Sequence, residues 1–347
     1  MDEQTLFRTT HEDVEPLTAA QLEAGHAALL QQAIHGNRRF HVSEKRRVAR
    51  RIGFASLAAG AAAAVLVGTS VIGPAGVMGG AESAAAAVLQ AAAVATIASS
   101  DPVVNAGEYL VVTSDSVGTV SGGLENGTTG DYQYRNQSTL YIPADRSDEW
   151  VGVYGKSTIE KTFGADSETV ARDWFDSITA ENGTAPDVLR AEGGDFYNDN
   201  DNDFDEAMFA LLPRDPRMLL NRIYLVTLGT GPSADAQALV FIGDSLRTGL
   251  VPADLRAAFY RAAALIPGVT LTEGQATLDG RTGVAIGRFE PGWQSRQEII
   301  IDPDTGLMIG EREISYATDA DYPPGTVWRW TSIVTTVESS APVGGSD

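Results

Sequence analysis

Thirty consecutive residues, Ile52 to Ala81, carry no charge, and they follow directly on Lys45-Arg46-Arg47-Val48-Ala49-Arg50-Arg51. A helix crosses a hydrocarbon core about 30 Å thick with roughly 20 apolar residues. Ile52–Gly73 supplies 22. Lys and Arg beside a span hold that flank in the cytoplasm. The chain therefore reads as a single-pass protein of the cell membrane, with residues 1–51 a cytoplasmic tail, 52–73 the transmembrane helix and the remainder extracellular. Only eight of the 22 side chains are large and apolar, which gives an insertion free energy of roughly −2 to −5 kcal/mol, unopposed by any charge. The competing reading is a buried Ala-rich core helix. A cleaved signal peptide does not fit, because all of residues 1–51 would have to serve as its n-region. Gly60, Ala64 and Gly68 lie four apart, a small-residue face through which two copies can pack as a homodimer.

Charge divides along the same boundary. The net charge is −21. Residues 1–51 hold eight basic and seven acidic side chains, whereas residues 101–347 hold 17 against 38. So acidic an exterior repels nucleic acid and anionic lipid surfaces. The chain has no cysteine, and its four histidines, His11, His26, His35 and His41, all precede the span. A disulfide framework, a cysteine nucleophile, a Ser-His-Asp triad and a His-based zinc site are thereby excluded from the exterior. No enzyme activity and no cofactor are expected. Hydrolysis by carboxylates alone is the third functional reading, and it requires a close Asp/Glu pair in a cleft.

In the tail, Thr18 and Gln21 form a capping-box pattern. Leu22, Leu29, Leu30, Ala33 and Ile34 then fall on one face of a helix, interrupted at Gly25 and His26. One short amphipathic helix cannot bury its stripe alone, so these five residues are the expected contact for a cytoplasmic partner protein. After the span, Pro74-Ala75-Gly76 breaks the helix. Residues 74–105 are read as a linker and an Ala-rich helix over Ser83–Ala98, with a second membrane segment as the alternative for residues 83–98.

Residues 106–338 are expected to form an extracellular α+β domain. Strands are predicted over Glu108–Thr113, Asp131–Ile142 and Trp150–Tyr154. Helices are predicted after Ser167, over Pro216–Leu228 and Ala234–Leu246, and from Pro252 to Ile266. Two hairpins follow: Gln275–Leu278 with Arg281–Phe289 across Asp279-Gly280, and Gln297–Ile301 with Leu307–Ile314. A last strand, Val327–Val337, places Trp328 and Trp330 on one face by its period of two. Strands, then helices, then strands predict a curved antiparallel sheet, a half-barrel, with helices on one face. Residues 339–347 are expected to be disordered.

Asp199, Asp201 and Asp203 match the first alternate ligands of an EF-hand loop, but Phe204 stands where Gly is needed and Ala210 where the bidentate Glu belongs. That leaves a looser calcium loop closed by Asp205 or Glu206, or a solvated acidic loop. Asn126, Asn136 and Asn182 begin glycosylation-type triplets. The exterior aromatics read as core or as the lining of a lipophilic cavity.

The layout resembles a group of actinobacterial single-pass membrane proteins often encoded beside extracytoplasmic-function sigma factors. The local matches are Gly107-Glu108-Tyr109, Asp215-Pro216-Arg217, Ile266-Pro267-Gly268, Leu278-Asp279-Gly280-Arg281 and the run from Ile300 to Gly306, Ile-Ile-Asp-Pro-Asp-Thr-Gly. That run is also similar to the lipoprotein-carrier fold, a half-barrel sheet enclosing helices. The first resemblance implies an anti-sigma-like transducer whose tail restrains a sigma factor. The second implies an exterior domain that binds lipid or lipoprotein. The alternative function is therefore a membrane-tethered lipid or lipoprotein-binding module without cytoplasmic signalling.

Overall fold

The computed structural model describes residues 80–99, 101–198, 206–318 and 322–344. The tail residues Leu22, Leu29, Leu30, Ala33 and Ile34, the span with Gly60, Ala64 and Gly68, and the acidic positions Asp199, Asp201, Asp203 and Asp205 lie outside the described residues. Among the described residues no helix is long and apolar enough to cross a membrane.

In chain order the elements are α1 Ser83–Ser99, β1 Tyr109–Gly123, β2 Thr129–Pro143, β3 Glu149–Tyr154, β4 Thr158–Phe163, α2 Ser167–Asn182 and β5 Asp187–Glu192. The helical block follows: α3 Asp195–Asn198, α4 Glu206–Leu211, α5 Pro216–Val226, α6 Ala234–Arg247 and α7 Ala253–Ala263. The chain closes with β6 Val269–Leu278, β7 Arg281–Glu290, β8 Ser295–Ile301, β9 Met308–Ser315 and β10 Thr326–Glu338.

Local chemistry sets several of these boundaries. The Asp215 carboxylate accepts from the backbone N–H groups of Arg217 (3.0 Å) and Met218 (2.9 Å), with Pro216 opening α5. Asp279 and Gly280 both adopt positive φ, 51° and 71°, the conformation of a type I′ hairpin turn. The Ile-Asp-Pro-Asp-Thr-Gly run is a tight turn. Asp302 accepts from the N–H of Asp304 at 2.9 Å and the hydroxyl of Thr305 at 2.7 Å, and Gly306 takes φ +67°.

All ten strands form one antiparallel sheet in the order β5-β3-β2-β1-β10-β9-β8-β7-β6, with β4 paired to β2 beyond the end of β3. Bulges interrupt the ladders of β2, β6, β9 and β10, and bulges bend and twist a sheet. Alternation sends Leu110, Val112, Leu140, Ile286, Ile299, Ile301 and Ile333 to one concave face. There they pack beneath Leu89, Leu219, Ile223, Leu239, Ile242, Leu255 and Phe259 of the helices. Each such buried side chain contributes about 1.5–3 kcal/mol. Helix α2 covers the far end of the same face, where Tyr132 packs with Val170, Ala171 and Phe175. The expected architecture, a curved antiparallel sheet with helices on one face, is the observed one.

Three expectations are corrected. Strands β4 and β5 were not foreseen, and β6 starts six residues before the predicted Gln275. Strand β4 is mostly exposed and β5 half-buried, with no alternation to mark them. The helix predicted over Ser83–Ala98 is observed as Ser83–Ser99, and the alternative of a second membrane segment is set aside, because it buries Ala85, Leu89, Ala92, Ala93 and Thr96 in the domain core. Trp328 and Trp330 do not share a face by simple alternation, because the ladder slips between Val327 and Arg329. Trp328 packs on Tyr322, while Trp330 joins Ala276 and Leu278. Finally, part of the segment expected to be disordered lies along β5, where Arg190 donates to the carbonyls of Pro342 and Gly344.

Candidate functional site

A buried polar seam crosses the concave face between its two apolar halves. The register pairs Asn136 with Ser116, Ser116 with Thr331, and Thr331 with Glu311. All four are buried, and the Ser116 hydroxyl has no hydrogen-bond partner. The neighbouring row runs from Tyr154 to Ser138, Ser114 and Ile333. An apolar interior disfavours such groups unless they are paired or wet.

Beside this seam lies a partly open cavity of about 170 Å³, lined by Val112, Ser114, Ser138, Thr139 and Leu140 of the sheet, Tyr154, Tyr197, and Asp244, Arg247 and Thr248 at the end of α6. Arg247 stands in the last turn of its helix, where a cation also complements the helix dipole. Its guanidinium donates to Glu311, and it pairs with Asp244 at 2.8 Å. The second Glu311 oxygen accepts from the Gln297 amide at 3.1 Å. Helix α6 approaches this closely because residue 243 is glycine: a Cβ there would stand 2.8 Å from Glu311 Oε2.

Burial pushes the Glu311 carboxyl above its ordinary range, against the attraction of Arg247. Burial also works against the Arg247 charge, but Glu311 and Asp244 more than offset it. Desolvation, with help from Tyr197, raises the Tyr154 phenol to about 12, so it stays a neutral donor at physiological pH. Tyr197 in turn packs on Trp150 with ring centroids 5.9 Å apart, and the Trp150 indole donates to Arg146 O at 3.0 Å.

Asp244 and Glu311 are the one Asp/Glu pairing at this cavity, as a carboxylate-only hydrolase would require. Both Glu311 oxygens are already engaged, by Arg247 and Gln297, so neither is presented to a substrate. A second, wider cleft of about 750 Å³ opens beside the start of β1 and the loop after β2. Of its acidic residues, Glu108 is held by Asn105 and Asp145 by Ser147, each within its own turn. Among the described residues no three potential ligands converge on a metal position.

None of the cavity residues stood out in the sequence. Arg247 and Glu311 come from elements far apart in the chain, and the available signal was a charged residue at an inward position of a strand. The expected aromatic lining is confined to Tyr154 and Tyr197. Tyr132, Trp174 and Phe175 pack on one another as core, with centroids 4.8–6.3 Å apart. Asn126 and Asn182, two of the glycosylation-type positions, are exposed, whereas Asn136 is buried in the seam.

No family model matches the chain, and no curated protein does. Among solved structures, a DUF1329 family protein from Desulfovibrio piger is similar over 74% of this chain and 94% of that chain, at 11% identity and a TM-score of 0.17. A likeness of that size carries no argument about function.

Proposed function

We propose that the chain is a membrane-tethered binding module that takes an amphiphilic ligand, a lipid or lipoprotein acyl group with its polar end, between sheet and helices. One observation carries this reading. A single cavity joins an apolar wall, Val112 and Leu140, to a polar one formed by Ser114, Ser138, Tyr154 and Arg247. Binding sites are commonly apolar concavities with a few placed polar groups. At about 170 Å³ the cavity holds only the first part of such a ligand. The remainder would enter by displacing the neighbouring side chains Leu246 and Leu250. The sigma-factor reading rests on the resemblance in layout and on the helical stripe of residues 1–51, and it gains nothing from this site.

A palmitate analogue bearing a diazirine, photolysed with the full chain in phosphatidylcholine vesicles, tests the proposal. Adducts are expected at Val112, Leu140 or Tyr197 and are lost in Leu140→Asp. Adducts confined to residues 52–73 would sink it.

A further inference from the structure

One end of the domain exposes a set of large apolar side chains. Leu225 is 67% exposed, Leu228 79%, Trp293 54% and Phe289 45%, all large apolar side chains facing solvent. They come from two places in the sequence, the C-terminal end of α5 with its following turn, and the end of β7 with the turn that leads to β8. A chain of short contacts brings these places together with the point where the polypeptide enters the domain. Ala81 N–H donates to Ala264 O at 3.1 Å, at the C-terminal end of α7. Three residues on, Pro267 O accepts from Arg288 Nε at 2.9 Å. Arg288 pairs with Glu290 at 2.6 Å, and Glu290 accepts from the Ser233 hydroxyl at 2.7 Å. Trp293 is three residues beyond Glu290, and Leu228 five before Ser233.

The opposite end of the domain is fixed just as clearly. Arg256 pairs with Asp101 and Arg214 with Asp254, both at 2.7 Å, at the N-terminal end of α7. Helix α1 separates the two ends by its length of 17 residues, about 25 Å.

Six residues, 74–79, separate the predicted span from Gly80, and they reach at most about 20 Å. If residues 52–73 span the bilayer, the end of the domain that bears Leu225, Leu228, Phe289 and Trp293 is the end held near it. We infer that these side chains seat in the interfacial layer of the outer leaflet. Trp belongs chemically to that layer. Arg288, beside the patch, is paired within the protein with Glu290 and Asp235, and Arg222, exposed one turn before Leu225, is long enough to reach lipid phosphates. An acidic domain would be repelled by an anionic surface, so the attraction is apolar and suits a zwitterionic one. The inference rests on the reading of residues 52–73 as a membrane span and not on the acyl-ligand reading.

Because the chain has no cysteine, single labels are simple to place. Full-length L228C and W293C, with V103C and L211C at the opposite end as controls, are labelled with an environment-sensitive fluorophore. They are then reconstituted into phosphatidylcholine vesicles containing nitroxide-labelled acyl chains. Labels 228 and 293 are expected to lose about half or more of their emission, as at a depth of roughly 5–10 Å, while labels 103 and 211 stay unquenched. A second variant, L225D carrying W293C, is expected to lose that quenching while still floating with the vesicles. Protein that floats with labels 228 and 293 unquenched overturns the docking and leaves the span intact. Protein that does not float overturns both. Labels shielded from water without lipid quenching, and only at high protein density, would assign the patch to a second copy and overturn the inference.

Discussion

Ser233 serves two structures with one hydroxyl. It accepts from Ala236 N–H at 3.1 Å, capping α6, and donates to Glu290 at 2.7 Å, tying that helix to the end of β7. Ser233→Ala is expected to cost roughly 1–2 kcal/mol, read as a lowered urea midpoint. The Ser233 hydrogen bond, more than the Arg288 charge, holds the Glu290 carboxyl below its usual range. Its contribution is therefore complete above the ordinary carboxylate pKa of 4.5 and fades as pH falls through the lower folded value. Thermal melts of Glu290→Gln should show a flatter loss of stability below pH 4.5 than the parent. Gly243 is a third such residue. Gly243→Ala drives a methyl onto Glu311 and is expected to cost about 1–3 kcal/mol. Adding Glu311→Asp, one methylene shorter, should recover part of that loss in the same melt. The Asp279-Gly280 turn was legible from two adjacent residues because turn chemistry is local. The Arg247–Glu311 pair was not, since no local rule relates residues 64 apart in the chain.

Among elements, α1 shows how misleading a uniform segment can be. It has no polar face to mark its orientation, and its Ala-rich sequence suits a membrane or a core. Its neighbour decides the matter. Ala257, Ala258, Ala262 and Ala263 of α7 are buried as well, and small residues on both helices allow a close approach. Arg256 fastens the pair, donating to Thr96 Oγ1 at 2.7 Å, Val251 O at 2.6 Å and Asp101 at 2.7 Å. The adjacent Tyr260 hydroxyl donates to Gly306 O at 2.8 Å, bringing the turn after β8 against the same helix. Arg256→Ala should therefore release the C-terminal half of α1 first, at a cost of roughly 2–3 kcal/mol because Asp101 keeps some solvent. Hydrogen exchange at Ala95–Ser99 accelerating well before exchange at Ala85–Leu89 would bear this out, whereas uniform acceleration would not. The amphipathic helices α5, α6 and α7 were predicted within three residues of their ends; Pro252 marked the start of α7, and Asp215 and Ser233 are seen to cap α5 and α6. Strands β4 and β5 lacked any such marks.

Taken whole, the domain has its first and last strands side by side in the middle of the sheet, with Tyr109 opposite Glu338 and Val117 opposite Trp330. The order of strands and helices along the sequence was enough to anticipate α+β, but not this pairing, which depends on which edges remain free once every hairpin has formed. Strands β6 to β9 form one set of sequential hairpins and β1 to β3 another. Within the sheet only β10 joins them. A chain ending at residue 325 is expected to keep both sets and lose the joint, seen as two unfolding transitions in place of one. The order of synthesis then acquires a meaning of its own. Strand β1 leaves the ribosome before all of β2 to β9 and must wait, one edge unpaired, until β10 has followed. Non-local pairings of this kind form slowly, and an unpaired edge invites strands from other chains. If the C-terminal region is exported, the growing domain must cross the bilayer before its centre can close. The yield of folded protein then depends on keeping β1 from other partners during that interval, a demand that no contact of the finished sheet meets.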